Sequence, residues 1–410
     1  MACFVEGWLN TARNTQHAPR ATTPSRYPIV TPPTRKTLGL IVNPIAGIGG
    51  RVGLKGSDGP DVQRRALDLG AVPRSSDRAA QALERVRSLD DLEILTCPGE
   101  MGEDAARACG FAPTVVGSIR RGATTPRDTR NGARDMLRLG VGLLLFAGGD
   151  GTARDVYNAV GKRLPVLGIP AGVKIHSAVF ATNPMNAGEL AGLYLQGQVS
   201  GLREVEVMDI DEQAFRQGIV SARLYGYLRV PFQRRLVQGL KTPTSPGEQA
   251  ARQAIAHDVV DRMEDGWLYI VGPGTTTRAI TSRLGLEKTL IGVDVVLDGE
   301  LIAADVNESR LLEYLQGRSA RIIVTPIGGQ GCIFGRGNQQ ISPQVIRRVS
   351  AHGDNPKENV IVVSTPGKIH SLAGQPLWVD TGDRDLDRRL SGYVQVVTGY
   401  HERIVYKVVC

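Results

Sequence analysis

One stretch of the 410 residues restricts the fold more than any other: an apolar run that ends in three glycines around an aspartate, Leu143-Leu-Leu-Phe-Ala-Gly-Gly-Asp-Gly-Thr152. A short continuous apolar run bounded by turn residues is a buried strand. Gly148, Gly149 and Gly151 let the chain turn tightly out of it, into a helix expected from Thr152 to Val160. Strand, glycine turn and helix start together make an anion cradle, because backbone N–H groups and the positive end of the helix face the same place. A carboxylate in that cradle is repelled by phosphate. Asp150 is therefore expected to take a proton from an acceptor hydroxyl or to help hold Mg²⁺. In a lone Asp-Gly the same residue would be a helix N-cap; the whole string points to chemistry.

The rest of the chain supplies a scaffold for that turn. From Leu38 onward, short apolar runs alternate with amphipathic stretches, the pattern of a parallel sheet with crossover helices. Strands are expected at 38–42, 92–96, 114–116, 141–147 and 165–169. Helices are expected at 79–88, where Ala79, Ala82, Leu83 and Val86 share a face, and from a cap at Thr129 to Leu139. Near Gly201 the texture changes. Residues 204–211 and 224–230 alternate apolar and polar, as half-buried antiparallel strands do. A loop at 241–247, a helix at 248–263 and renewed alternation follow, with strands at 267–271, 290–296, 321–325 and 360–364 and helices at 275–284, 309–316 and 342–350. The expected organisation is a basic leader (1–36), an α/β domain with a Rossmann-like parallel sheet (37–200), and a mixed, β-rich second domain (201–410).

Composition narrows the function. The net charge of +8 suggests a polyanion-binding protein, but half of it sits in the leader, where Arg13, Arg20, Arg26, Arg35 and Lys36 face Glu6 alone. Basic residues do not interleave with aromatics, and 5% aromatic content offers few stacking platforms, so nucleic acid is not an expected partner. The longest apolar run falls far short of a membrane span. Five scattered cysteines without a C-x-x-C pair read as reduced thiols of a cytoplasmic protein rather than a zinc site. The 49 glycines, about 12% of the chain against ~7% on average, point to loops that approach a ligand closely.

Several other segments suit a phosphoryl-transfer cleft. After the first strand, Asn43-Pro-Ile-Ala-Gly-Ile-Gly-Gly50 offers an amide and a glycine turn, with Asn43, Gly47 and Gly49 as candidate phosphate contacts. The spacing fits neither G-x-G-x-x-G nor a Walker A loop, so a Rossmann dehydrogenase and a P-loop ATPase are disfavoured. Lys174, His176 and Ser177 follow the strand that ends near Pro170, at the edge where open α/β sheets bind ligands. Lys174 could balance phosphate charge and Ser177 could donate to it, whereas His176, followed by Ala178, Val179 and Phe180, reads as a partly buried structural residue. In the second domain Gly272-Pro-Gly-Thr275 repeats the strand, glycine turn and helix start, with Gly272, Gly274 and Thr275 as phosphate or nucleotide contacts. Gly328-Gly-Gln-Gly331 is a loop of the kind that closes over a substrate. Asp294 and Asp305 lie near strand ends, where they could bind Mg²⁺ or ribose.

The GGDGT string after a strand resembles the superfamily of NAD kinases, diacylglycerol and sphingosine kinases, and 6-phosphofructokinases. The segments 40–50, 148–156, 168–180, 272–277 and 325–331 together resemble the ATP- or polyphosphate-dependent NAD kinase group, which includes the acetoin-catabolism X proteins. The resemblance spans residues 37–410. It implies an NAD kinase-like two-domain fold, phosphoryl transfer from ATP or polyphosphate with Mg²⁺ or another divalent cation, NAD as acceptor, and a cytoplasmic homo-oligomer. It also implies that Asp150 activates the 2′-hydroxyl of the adenosine ribose. Lipid kinases continue GGDGT-x-N-E-V; here Arg154 and Asp155 hold the Asn-Glu positions, so a lipid acceptor is the weaker fit. The nucleotide-gripping Asn-Glu or Asn-Asp pair of ordinary NAD kinases is not evident, and the adenine contacts stay unassigned. A kinase of another small acceptor, or a nucleotide sensor without turnover, are the competing expectations.

Overall fold

The structure, a computed structural model, describes residues 36–54, 59–172, 175–199, 201–210, 222–233, 236–237, 247–327, 331–350 and 355–410. Lys174, most of the leader and Gly328-Gly-Gln330 lie outside the described residues.

All five strands expected in the first half form. β1 (Thr37–Val42), β2 (Glu93–Thr96), β3 (Thr114–Val115), β4 (Leu143–Gly148) and β5 (Val166–Pro170) make a parallel sheet of order β3-β2-β1-β4-β5. The central pair is covered on both faces, so Leu38, Leu40, Ile41 and Leu143 through Ala147 are fully buried, which is why these strands are continuous apolar runs rather than alternating ones. The chain runs outward from β1 through β2 to β3, then returns to start β4 and runs the other way to β5. The right-handed crossover rule puts the helices Pro126–Arg138 and Asp150–Val160 on one face and Ser75–Leu83 on the other. The order reverses between β1 and β4, and the loops that leave their carboxyl ends meet in a crevice there.

Three helices differ from expectation. The one at 79–88 runs from Ser75 to Leu83, yet its four apolar residues are all buried as the pattern requires. The second starts at Pro126: the carboxylate of Asp128 receives both the N–H and the hydroxyl of Thr125 (2.8 and 2.7 Å), so Thr125 is the cap and Thr129 lies buried in the first turn. The third, Pro184–Leu195, carries no one-sided apolar period because most of it is buried. It packs so closely on the helix Ser75–Leu83 that a Cβ at Gly188 would stand 2.0 Å from the carbonyl oxygen of Ala82.

The alternating segments form the antiparallel hairpin β6 (Leu202–Ile210) and β7 (Ala222–Pro231). Its Val207, Leu228 and Val230 pack within the core of the first sheet. The second half builds a mixed nine-stranded sheet of order β10-β9-β8-β11-β13-β15-β16-β14-β12. Its strands are β8 (Leu268–Val271), β9 (Asp294–Leu297), β10 (Glu300–Ala303), β11 (Ala320–Val324), β12 (Cys332–Phe334), β13 (Val360–Val363), β14 (Leu377–Val379), β15 (Gly392–Gly399) and β16 (Glu402–Val409). β8, β11, β13 and β15 are parallel; the flanking β9 and β16 are antiparallel to their neighbours β8 and β15. The architecture is the expected one: a parallel α/β sheet followed by a mixed, strand-rich region.

Candidate functional site

At the switch point between β1 and β4 three loops touch backbone to backbone. Asn43, one residue past β1, donates its N–H to the Ala147 carbonyl (2.9 Å) and its side-chain amide to the Thr152 hydroxyl (3.0 Å), while its amide oxygen accepts the Ile45 N–H (3.3 Å). The candidate phosphate contact is thus also the tie between the first loop and the GGDGT turn. Gly47 has φ +77°, and a Cβ there would lie 2.0 Å from the Ala171 oxygen in the loop after β5. A Cβ on Gly172 would lie 2.8 Å from the Cα of Gly149, and one on Gly148 2.3 Å from the Thr152 hydroxyl. Gly149 is extended (φ −124°) and the helix begins at Asp150, not Thr152. Gly148 and Gly149 are therefore required by close approach of neighbouring groups rather than by a left-handed turn.

Asp150 occupies the first position of the helix, with Gly149 as N-cap. Its side chain is 10% exposed. Oδ2 accepts the backbone N–H of His176 (2.8 Å) and Oδ1 that of Ser177 (2.9 Å), and His176 Nδ1 stands 3.5 Å from Oδ2. The carboxylate anchors the segment that follows β5, and it does so with one lone pair of each oxygen. Ser177 is fully buried, and its hydroxyl accepts the Met208 N–H from β6 (2.9 Å), a structural use that the sequence pattern did not reveal. His176 is partly buried, as its apolar neighbours suggest. Asp155, at the position where lipid kinases carry Glu, pairs with Arg130 (2.6 Å).

The second glycine turn lies at the carboxyl ends of β8, β11 and β13. Gly272 donates to Ile323 O (2.8 Å), and Gly274, at φ +132°, donates to Leu290 O (3.0 Å) and caps the helix Thr275–Arg283. Thr275 is exposed at the helix start, while the buried Thr277 bonds back to the carbonyls of Gly272 and Gly274. Lys368 reaches this turn from the short helix Pro366–Ser371 after β13, with its ammonium 3.4 Å from the Thr276 hydroxyl and 3.2 Å from that of Thr325. The sequence holds a signal for it: Ser364-Thr-Pro-Gly-Lys368 is another strand exit with hydroxyls, proline and glycine.

Asp294 is committed elsewhere. It is fully buried, accepts bonds from Thr289 N, Thr289 Oγ1 and Asp305 N, and faces the Lys288 ammonium at 3.4 Å. Burial lowers the Lys288 pKa, with Asp294 opposing the shift. Asp294 is a structural carboxylate, saturated by its neighbours.

Between the two sheets lies a cavity of about 180 Å³. The Ala46–Val52 loop and Pro170–Gly172 form one wall, and Asn307–Ser309, Gly335, Arg336, Gln339 and Asp380 form much of the other. Asp150 does not line it; the cavity reaches the GGDGT turn through Gly172, which touches Gly149. Two charged contacts join the halves at this cleft. Arg78 Nη1 meets both oxygens of Asp380 at 2.5 Å, and the nine-tenths-buried Arg336 bonds the carbonyls of Ala181 (3.3 Å) and Thr182 (2.5 Å).

Among the described residues there is no group of three or more His, Cys, Asp or Glu placed to hold a metal ion, and no helix long and apolar enough to cross a membrane. No curated protein matches the chain significantly. A solved structure of a putative diacylglycerol kinase from Bacillus anthracis str. Sterne is similar at 18% identity over 44% of each chain, with a TM-score of 0.24, too limited a likeness to carry an argument. Family models are decisive: residues 38–199 match the ATP-NAD kinase N-terminal domain and residues 264–408 the ATP-NAD kinase C-terminal domain. The chain belongs to the NAD kinase family.

Proposed function

We propose that the protein transfers a phosphoryl group from ATP or inorganic polyphosphate to the 2′-hydroxyl of NAD, giving NADP. The observation that carries this reading is the placement of Asp150 at the switch point, partly buried, on the first turn of a helix, with lone pairs left over after it has fixed the His176–Ser177 segment. An acceptor hydroxyl that reaches this carboxylate gives up its proton to it as the oxygen attacks the phosphorus in line with the leaving group. The helix N-terminus and the glycine loops at Gly47, Gly49 and Gly149 supply N–H groups for the phosphate oxygens, with Thr152 and Asn43 holding the two loops in register. Gly272, Gly274 and Thr275 form the second nest, for the nucleotide, and Lys174 is the proposed balancing cation.

Mg²⁺ fits this donor set: it is ordinarily held by one or two carboxylates together with substrate phosphates, and Asp150 is the carboxylate in place. When bound, such an ion neutralises charge on the phosphate oxygens. A cytoplasmic setting is supported by the free thiols of Cys97, Cys109, Cys332 and Cys410. The pairing of Asp155 with Arg130 disfavours a lipid acceptor, since it occupies the side chain at the family's lipid-kinase Glu position.

The test is an acceptor screen by mass spectrometry with ATP and with polyphosphate, wild type beside Asp150→Asn. NADP should accumulate with the wild type only. Phosphorylation of another hydroxyl compound in place of NAD would overturn the acceptor, and binding of NAD and ATP without any transfer would favour a sensor.

A further inference from the structure

We propose that the carboxyl-terminal edge of the second sheet binds a phosphate monoester, with Lys368 as its cation and Thr276 and Thr325 as its hydroxyl donors. The site goes beyond the reading above and rests on it in one respect, that the turn at Gly272, Gly274 and Thr275 is an anion nest.

β8, β11 and β13 are neighbours in the sheet and run parallel, so their exits share one edge. That edge is where open parallel sheets take ligands. The three exits repeat one chemistry of hydroxyls and proline: Gly272-Pro-Gly-Thr-Thr276, Thr325-Pro326 and Ser364-Thr-Pro-Gly-Lys368. They approach one another closely. A Cβ on Gly274 would stand 2.7 Å from Thr325 Cγ2, and one on Gly367 2.0 Å from Glu248 Oε1.

The buried threonines of the helix Thr275–Arg283 divide into two kinds. Thr277 and Thr281 turn their hydroxyls back on the carbonyls of Gly272 and Arg278 (2.7 and 3.0 Å), the usual way a buried hydroxyl in a helix is satisfied. Thr276 is just as buried, yet its hydroxyl accepts from the Lys368 ammonium (3.4 Å), as does that of the buried Thr325 (3.2 Å). An ammonium only donates, so both hydroxyls keep a proton to give, and among the described residues neither gives it to any group. Two buried donors beside a cation call for an acceptor-rich anion.

The surroundings agree. Lys368 also reaches the Pro326 carbonyl (3.4 Å), which holds its ammonium beside the exit of β11. The first N–H groups of the nine-residue helix Thr275–Arg283 have no carbonyl within the helix, and they bring its positive end to the same edge. The Glu248 carboxylate, close to Gly367, accepts the Thr365 hydroxyl (2.7 Å). Donors that arrive from a helix start and from two further strand exits match the three terminal oxygens of a phosphate monoester. Thr275, Pro366 and Gly367 are exposed at the rim, so the edge is open to solvent. The site is distinct from the cavity between the sheets: Lys368, Thr276 and Thr325 do not line that cavity. The buried Ile341 lines it and also stands 3.7 Å from where a Cβ on Gly272 would be, which puts an apolar side chain between the two.

The experiment is calorimetric titration of the full chain with glycerol 3-phosphate, AMP and acetate at fixed ionic strength and about pH 8, where a phosphate monoester is a dianion. Wild type is compared with Lys368→Met, with Thr276→Val/Thr325→Val, and with Lys407→Met, which removes an exposed charge on β16. Lys368→Met should weaken glycerol 3-phosphate by about ten- to a hundredfold and the threonine pair by about tenfold, as lost charge-assisted bonds do. Lys407→Met should stay within about threefold. Acetate should bind at least about tenfold more weakly than the phosphoester. Equal affinity for glycerol 3-phosphate and AMP assigns the site to small phosphoesters in general, and tighter AMP assigns it to nucleotides; both support the proposal. It is overturned if Lys368→Met binds the phosphoester like wild type, if Lys407→Met weakens it as much, or if acetate binds equally well. Should Lys368→Met not fold, the threonine pair decides alone, and wild-type affinity in that pair overturns the site. Failure of NAD to accept phosphate, with Lys368-dependent binding intact, would sink the proposed acceptor and leave this site standing.

Discussion

Replacing Asp150 by Asn tests two jobs of one side chain at once. The carboxylate accepts the N–H groups of His176 and Ser177 at 2.8 and 2.9 Å, one on each oxygen. Hydrogen bonds to a charged acceptor contribute about 1.5–3 kcal/mol each, a neutral one about 1, and a buried N–H left facing another donor costs about 1–3 kcal/mol. Asn keeps one oxygen and turns its NH₂ toward the second N–H. The net loss is about 2–5 kcal/mol, which lowers the melting temperature of a domain of this size by roughly 5–15 °C. Scanning calorimetry reads this directly. Turnover at a temperature where the variant is folded should fall by about 10²–10⁴, the usual worth of a positioned general base. An unchanged melting temperature would refute the anchoring role, and near-normal turnover would refute the catalytic one; the two measurements are independent.

Three further outcomes follow from the geometry. Gly47→Ala puts a Cβ 2.0 Å from the Ala171 oxygen at φ +77° and should cost about 2–5 kcal/mol in urea unfolding, from backbone strain plus overpacking. Arg78→Ala leaves Asp380 without its partner in the cleft and should destabilise by about 2–4 kcal/mol, with faster proteolysis between the two halves; Arg78→Ala/Asp380→Ala should recover part of it. Burial pushes the Cys97 and Cys332 thiols up to about 12 from 9.0. The folded state then holds protons that the unfolded chain has lost, so stability should decline between about pH 9 and 12, by up to ~1.4 kcal/mol per pH unit for each thiol. Denaturant midpoints that are flat across pH 8–10.5 would contradict this.

The first sheet was legible because strands covered on both faces must be apolar throughout, as 38–42 and 143–147 are. Beyond Ser364 the chain was silent: β15 and β16 mix Gln395, Arg403 and Lys407 with Val and Tyr, and β14, like β12 before Ser364, is only three residues long. The GGDGT turn announced itself, but the partners of Asp150 did not, since they are backbone groups 26 and 27 residues away. Nothing local marks Arg78 and Asp380 as neighbours across 302 residues. Ser177 carried the right chemistry for phosphate and was claimed by β6, a contact that only tertiary structure creates.

The contact of Gly47, Gly149 and Gly172 has a bearing on how such an enzyme can diversify. The floor of the crevice is main chain, so it offers no side chains to exchange, and a methyl group at Gly47 or Gly172 collides with a neighbouring backbone. Substrate preference has to be written elsewhere, in walls whose side chains are free to vary. Asn307 and Gln339 of the second half, which lean on Gly53 and Gly50 across the cleft, stand where that variation would be felt. The fold thus separates a floor of close-packed main chain, where a side chain cannot be added, from a wall of side chains that can be exchanged without moving that floor.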